Sequence, residues 1–293
     1  MRVFITGGTG LIGSAVVDEL LNHGHTVLGL ARSDASAAKL QSAGAQAIRG
    51  GLADLEVIRN GVAQSDGVIH LAFSNDFSSP EALAAGIAEE SAALAAIGAE
   101  LIASFRPLAI CSGTPVAAGR PSVESDPLPL EGPVAGRGRA VMAALDLADQ
   151  GVRTSAVRLP RTVHNNGAGG FAGLLTNIAR ANGASGYPGD GSQRWPAVHA
   201  LDAAALFRLT LEAAPAGTSW HAVADEGDAV RDIAGVIGRR LGVPVMSVPA
   251  ENYGPLGPIF AADQPSSSAV TQEALGWTPK HPSLLEDLEK IEP

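Results

Sequence analysis

Residues Thr6 to Gly13 read Thr-Gly-Gly-Thr-Gly-Leu-Ile-Gly. The apolar residues Val3-Phe4-Ile5 precede them, and an amphipathic run from Ser14 to Leu21 follows. Glycines at every third position between a strand and a helix constrain the fold more than any other feature of this chain. Gly7 permits a tight turn, Gly10 lets backbone N–H groups approach an anion, and Gly13 lets the helix pack close to the sheet. The positive end of that helix then faces the anion. The pattern suits a dinucleotide pyrophosphate, with Thr9, Gly10, Leu11 and Ile12 as its backbone contacts.

The first half of the chain continues this strand-then-helix alternation, which implies a parallel sheet with helices on both faces. Strands are expected at Arg2 to Thr6, Thr26 to Ala31, Ala47 to Arg49, Gly67 to Leu71, Leu108 to Ser112 and Thr154 to Arg158. Helices are expected at Leu11 to His23, Ala35 to Ala43, Leu55 to Ala63, Pro80 to Ser104 and Arg137 to Gln150. Segments 113–133 and 160–197 are rich in Gly, Pro, Ser and Asn and read as long loops of the size usually kept for function. Later helices are expected at Ala200 to Glu212, Val230 to Leu241 and Thr271 to Leu275. The expected fold is α/β: a Rossmann doubly wound parallel sheet over 1–160, with 196–212 returning to it. A smaller substrate-binding lobe takes 161–293. Ligands of such a sheet sit beyond the carboxyl ends of the strands. That rule groups Gly7 to Gly10, Arg32, Ala72-Phe73, Ser112 to Thr114 and Leu159 to His164 around one crevice.

Composition narrows the partners. The formal charge of −10 argues against non-specific binding to nucleic acid or an anionic membrane surface. No apolar run is expected to span a membrane. Met1 to Thr6 already read as a strand, so no secretory signal is expected. Cys111 is the only cysteine and cannot form an internal disulfide, which fits a cytoplasmic protein. The seven histidines show no paired metal-ligand spacing, so no metal site is expected.

Six further motifs follow the glycine turn in order. They are His-Leu-Ala at His70 to Ala72, Cys-Ser-Gly-Thr at Cys111 to Thr114 and Val-Arg-Leu-Pro at Val157 to Pro160. Gly189-Asp190-Gly191, Val198 to Asp202, and Leu-Gly-Trp-Thr-Pro at Leu275 to Pro279 complete the series. Each is unspecific alone. Together, and over nearly the whole length, the chain resembles an extended or atypical short-chain dehydrogenase/reductase of the NAD-dependent epimerase/dehydratase type.

The resemblance implies a nicotinamide cofactor and locates its contacts. NAD-preferring members carry Asp where this chain has Ala31. Arg32 and Ser33 follow, and an arginine there pairs with the 2′-phosphate of NADP. NADP(H) is therefore the expected cofactor, with NAD(H) possible. Gly51-Leu52 stands where the family has Asp-Leu near adenine, so Leu52 is a contact and Gly51 a departure. Ala72 and Phe73 match the stretch along the cofactor's ribose.

The same resemblance implies a Ser or Thr and a Tyr/Lys pair for proton transfer. Thr114 matches the first. The tyrosine is missing: alignment puts Val134 or Ala135 there, with Gly138 or Arg139 at the lysine. Arg139 keeps a positive charge for the nicotinamide ribose but cannot pass a proton at neutral pH. His164, Tyr187 and a water held by Thr114 are the candidate substitutes. His199 and Asp202 match a structural motif, with Asp202 as a helix cap. Trp195, Phe171 and Tyr187 are expected to wall the substrate pocket.

The leading expectation is an NADP(H)-dependent oxidoreductase that reduces a carbonyl, C=N or C=C group of a small, partly apolar substrate. An NADP(H)-binding sensor with little turnover is the alternative that the missing tyrosine favours. A sugar-nucleotide epimerase or dehydratase has the fold behind it but few diphosphate anchors beyond Arg158, Arg161 and Arg194. A homodimer through the two long helices is also expected.

Overall fold

The computed structural model describes residues 1–74, 76, 79–132 and 134–292. In chain order the first elements are β1 (Arg2–Thr6), α1 (Leu11–Asn22), β2 (Thr26–Ala31), α2 (Asp34–Ser42), β3 (Gln46–Arg49), α3 (Leu55–Ala63), β4 (Gly67–His70) and α4 (Pro80–Leu101). They are followed by β5 (Pro107–Gly113), α5 (Ala135–Leu145), β6 (Arg153–Leu159), β7 (Thr162–His164), α6 (Gly170–Asn182), β8 (Ser185–Pro188), β9 (Arg194–His199) and α7 (Ala200–Ala213). The last are β10 (Thr218–His221), β11 (Asp225–Ala229), α8 (Val230–Leu241), β12 (Val245–Val248), α9 (Gly257–Phe260), α10 (Ala269–Leu275) and α11 (Leu284–Leu288).

Seven parallel strands form the main sheet in the order β10-β6-β5-β4-β1-β2-β3. The order reverses beside β1 and β4, which opens the ligand crevice at their carboxyl ends. Alternate residues of β1 serve opposite faces, as a period of two requires. Val3 and Ile5 pack with Val16 and Leu20 of α1 and Phe207 of α7. Phe4 packs on the other face with Ile58 of α3 and Ile97 and Leu101 of α4. β7, β9 and β11 make a three-stranded sheet, and β8 pairs with β12. These, with α6, α8 and α9, enclose a separate core around Trp195, Phe260 and Ile233.

The first-half elements lie where periodicity placed them, within a few residues. Two helices differ at their ends. α4 stops at Leu101, because Ala103 and Phe105 take left-handed backbone angles that break the helix. The helix expected at Arg137 begins instead at Ala135 and tightens to a 3₁₀ turn over Asp146–Gln150. The larger correction concerns 160–197, which is not a loop but holds β7, α6, β8 and β9. These short strands pair with residues far along the chain, so no local periodicity announces them. The segment that returns to the main sheet also shifts. It runs from α7 through β10, because β9 belongs to the small sheet and β10 pairs with β6. α4 is long and apolar enough to cross a membrane by length and composition alone, contrary to expectation. In the fold it is a layer helix that packs Leu94, Ile97 and Leu101 into the core.

Candidate cofactor cleft and reaction site

The glycine turn has the geometry of an anion cradle. Gly7 sits at φ 74°, and a Cβ there would lie 2.8 Å from the Ala72 nitrogen. A Cβ on Gly13 would lie 2.0 Å from the Gly7 oxygen, so only glycine lets α1 approach the turn. The Gly10 N–H donates to the Gly7 oxygen at 3.1 Å and closes the turn. Gly10 is also the N-cap of α1, which has no side-chain cap and no acid in its first turn. The positive helix end is thus free to face a phosphate.

This turn floors a cavity of about 340 Å³. Of the expected cofactor residues, Gly7, Thr9, Gly10, Arg32, Leu52, Ala72 and Phe73 line it. Leu11 and Ile12 form the first turn of α1 just behind it, and Gly13 is buried in the turn–helix contact. Ser33 is not a lining residue; its hydroxyl caps α2 by accepting from the Ser36 N–H at 3.1 Å. Ser36 itself lines the cavity. Ala31 is fully buried and brings no carboxylate to the end of β2, while Arg32 is exposed at the cavity mouth.

Past Phe73 the crevice is organised by an ion pair between α4 and α5. Arg137 donates to both oxygens of Glu90, each at 2.8 Å, and its guanidinium lies 3.9 Å from the centre of the Phe73 ring. Glu90 is 2% exposed. Burial opposes the Arg137 charge, but the hydrogen bonds and field of Glu90 outweigh it and raise the pKa further. Burial pushes the nearby Cys111 thiol up to about 11, with Arg137 partly opposing the shift. Burial, with a contribution from Arg137, pushes His70 down to about 4. Its Nδ1 lies 3.0 Å from the Thr6 hydroxyl.

Arg137 and Glu90 escaped the sequence reading. Arg139, expected to carry the positive charge, instead lies exposed on α5 and donates to the Leu130 oxygen at 3.3 Å. The helix phase decides this, since Arg137 faces α4 and Arg139 does not. The available signal was Glu90 itself, a charge within an apolar helix that needed a partner.

Thr114 follows β5, and its N–H donates to the Leu159 oxygen at 2.9 Å. Gln264 Nε2 donates to the Thr114 carbonyl at 2.6 Å and lies 3.5 Å from its hydroxyl. Ala135 is buried at the start of α5, and Val134 precedes it without a polar group.

Neither side chain expected to replace the tyrosine hydrogen-bonds Thr114 among the described residues. His164 is 1% exposed, and its Nδ1 lies 2.9 Å from Asp287 Oδ2. Burial would raise the Asp287 pKa, but hydrogen bonds from Lys290, His164 and Gly167 hold it down near 2. His164 is thus buried and joins the C-terminal segment to β7. Tyr187 lies on β8 in the small lobe, packed against Gly191. Trp195 is fully buried with Phe171 and Phe260, so it forms core and not a pocket wall. His199, not Asp202, caps α7 by accepting from the Leu201 N–H. Asp202 accepts from the Lys280 and His281 N–H groups at 2.9 and 3.0 Å.

Two of the possible diphosphate anchors are engaged internally. Arg194 pairs bidentately with Asp263, at 3.1 and 2.8 Å. Arg158 donates to the carbonyls of Glu124 and Asp126 at 3.1 and 2.8 Å.

The family model described as NAD dependent epimerase/dehydratase family matches residues 3–223. The chain belongs to that family. An uncharacterized protein of Schizosaccharomyces pombe is 44% identical over 292 residues, covering 98% of both chains. A 4-hydroxy-2-methyl-3-oxo-4-farnesyl-3,4-dihydroquinoline-1-oxide ketoreductase of Stigmatella aurantiaca is 40% identical over 72 residues, or 25% of this chain and 22% of its own. The UDP-glucose 4-epimerase structure from Thermotoga maritima superposes with TM-score 0.79 at 20% identity, over 99% of this chain and 97% of that one. That similarity is one of fold. Family membership makes this an NAD(P)-binding protein of the short-chain dehydrogenase/reductase type.

Proposed function

We propose that the protein is an NADP(H)-dependent oxidoreductase that reduces a carbonyl, or a related C=N or C=C group, on a small and partly apolar substrate. The observation that carries the cofactor choice is Arg32 at the cavity mouth, beside Ser36 and next to the carboxylate-free Ala31. A carboxylate at the end of β2 would bind ribose hydroxyls and repel a 2′-phosphate, whereas a guanidinium and a hydroxyl attract it. The free end of α1 and the Gly7–Gly13 turn suit the pyrophosphate. When bound, the nicotinamide supplies hydride.

The chain's own residues then have distinct tasks. Thr114 would donate a hydrogen bond to the oxygen that gains charge during reduction. Arg137, fixed by Glu90 and Phe73, would hold positive charge near that end of the crevice. It cannot pass a proton, because its pKa stays far above neutrality. The proton would come from solvent held at Thr114. Loss of a dedicated general acid costs on the order of 10²–10⁴ in rate. The absence of a hydroxyl at Val134 and Ala135 thus also favours the second reading, an NADP(H)-binding sensor with little turnover. The internal pairing of Arg194 and Arg158 weighs against a sugar-nucleotide substrate. The partial ketoreductase relative supports a reduction.

Equilibrium binding of NADPH and NADH to wild type and Arg32→Ala tests the cofactor. The expected result is a preference for NADPH that falls by about tenfold or more in the variant, since a charge-assisted contact contributes roughly 1.5–3 kcal/mol. Equal affinities in the wild type would overturn it. NADPH oxidation with a panel of ketones, aldehydes and imines separates enzyme from sensor.

A further inference from the structure

The cofactor cavity draws its lining from both faces of the main sheet. α2, which carries Ser36 and follows Arg32, packs Leu40 on the Val3–Ile5 face. α3 and α4 pack on the Phe4 face, together with Leu52. Gly50, Gly51 and Leu52 lead from β3 towards α3 and line the cavity on that side. A base resting on Leu52 therefore meets an apolar side chain and two glycines, with no side-chain acceptor among them. The Asp54 carboxylate accepts from the Gly51 N–H at 2.7 Å and does not line the cavity. Among the described residues, Glu89 of α4 is the only carboxylate that does.

Glu90 faces α5 through Arg137, whereas Glu89, about 100° away round the helix, lines the cofactor cavity. It also lines an adjoining cavity of about 620 Å³ between α4 and the start of α3. The two cavities share Leu52, Ser74 and Glu89, so these three residues meet at one opening. Asp76 lines only the adjoining cavity. A helical side chain leans over the turn before its own Cα, which for Glu89 is the turn that holds Gly86. Gly86 keeps that space clear, since a Cβ there would lie 3.1 Å from the Ser74 Cβ. The Glu89 side chain is half-buried and makes no hydrogen bond or ion pair among the described residues. A carboxylate placed against Leu52 and the small residues of α4 gives up water without gaining a donor, and suits a ligand that brings an N–H group.

We propose that Glu89 reads the base of the dinucleotide by accepting a hydrogen bond from the exocyclic amino group of adenine beside Leu52. This rests on the NADP(H) reading above and adds a second selector, separate from the choice that Arg32 makes at the 2′-phosphate. Arg32, Ser36 and the free end of α1 present positive charge and donors, which suit phosphates. A carboxylate suits the opposite chemistry, and the amino group is the donor that adenine carries on its edge. A base with a carbonyl oxygen at that position would set lone pairs against the carboxylate. The charge on Glu89 makes its bond to the amino group stronger than a neutral one. The acceptor thus comes from α4, in place of a side chain that Gly51 does not supply.

Equilibrium titration of the full chain compares NADPH with its hypoxanthine analogue, in which a carbonyl oxygen replaces the amino group. Wild type should bind NADPH about tenfold or more tightly than the analogue. Glu89→Ala should weaken NADPH by about that factor and leave the analogue unchanged or tighter. Glu89→Gln offers both an N–H and an oxygen, so it should bring the two dinucleotides within about threefold, chiefly by tightening the analogue. Both ligand-free variants should melt at the wild-type temperature, because Glu89 has no partner to lose, and the ratio of NADPH to NADH affinity should stay as in wild type. Equal binding of the two bases in wild type, or a preference that survives Glu89→Ala, would overturn the assignment. So would equal weakening of both dinucleotides in Glu89→Ala, which would put the carboxylate on a ribose. If wild type binds no dinucleotide, the NADP(H) reading falls and Glu89 with it. NADPH bound without a base preference that depends on Glu89 overturns the Glu89 assignment alone.

Discussion

The pair between Glu90 and Arg137 offers the sharpest test of how the crevice is built. Glu90→Ala leaves the Arg137 guanidinium between α4 and α5 without its two 2.8 Å acceptors. Breaking a buried pair from one side typically costs about 3–5 kcal/mol, because the remaining charge is stranded. The Arg137 side chain is 27% exposed and can recover some hydration, so the lower end applies, about 3 kcal/mol. For a chain of this size each kcal/mol moves the melting temperature by roughly 2 °C, so a fall of about 6 °C is expected. Urea denaturation gives the free energy and calorimetry the temperature. The double variant Glu90→Leu/Arg137→Met removes both charges and keeps much of the volume. It should return to within about 1 kcal/mol of wild type, since apolar replacements of a buried pair are often neutral or better. A loss below about 1 kcal/mol in Glu90→Ala would show that Arg137 is not stranded without its partner. So would a double variant as unstable as the single one.

Further tests follow from the turn and from the buried imidazoles. Gly13→Ala should abolish dinucleotide binding and lower stability, because its Cβ would meet the Gly7 oxygen at 2.0 Å; cofactor titration checks the first effect and thermal melting the second. His70 should make the fold acid-sensitive. Its folded pKa is about 4 against 6.5 unfolded, so between those values the unfolded chain binds the extra proton. Stability should therefore fall as pH drops through 6.5 and reach its full loss near pH 4, by about 3 kcal/mol from His70. His221, also near 4 through burial, adds to the same window. Urea midpoints between pH 7 and pH 4 measure this, and His70→Phe should flatten the slope.

Local chemistry made much of the first half legible. The glycine spacing at Gly7, Gly10 and Gly13 and the apolar strands act over a few residues, and so their pattern survives in one dimension. Arg32 was readable for the same reason, since it directly follows the end of β2. The second half was opaque because its strands depend on remote partners. β7 pairs with β9, and β8 with β12, through segments that alone look like loops. Helix phase was equally hidden, so the sequence pointed to Arg139 and not to the pair of Arg137 with Glu90. His164 reads as one of three candidate proton donors because nothing near it in sequence reveals Asp287, 123 residues away.

A doubly wound dinucleotide fold, with an arginine after β2 and no tyrosine ahead of Arg139, is legible in the order of residues alone. Those properties rest on backbone freedom, residue period and residue type, which need no partner. The folded arrangement sets which charges are compensated. It gave Arg137 to Glu90, Arg194 to Asp263 and His164 to Asp287, and left Arg161 with a single backbone acceptor. The energy of a buried charge depends on what the fold brings beside it, and that neighbour is set by long-range packing.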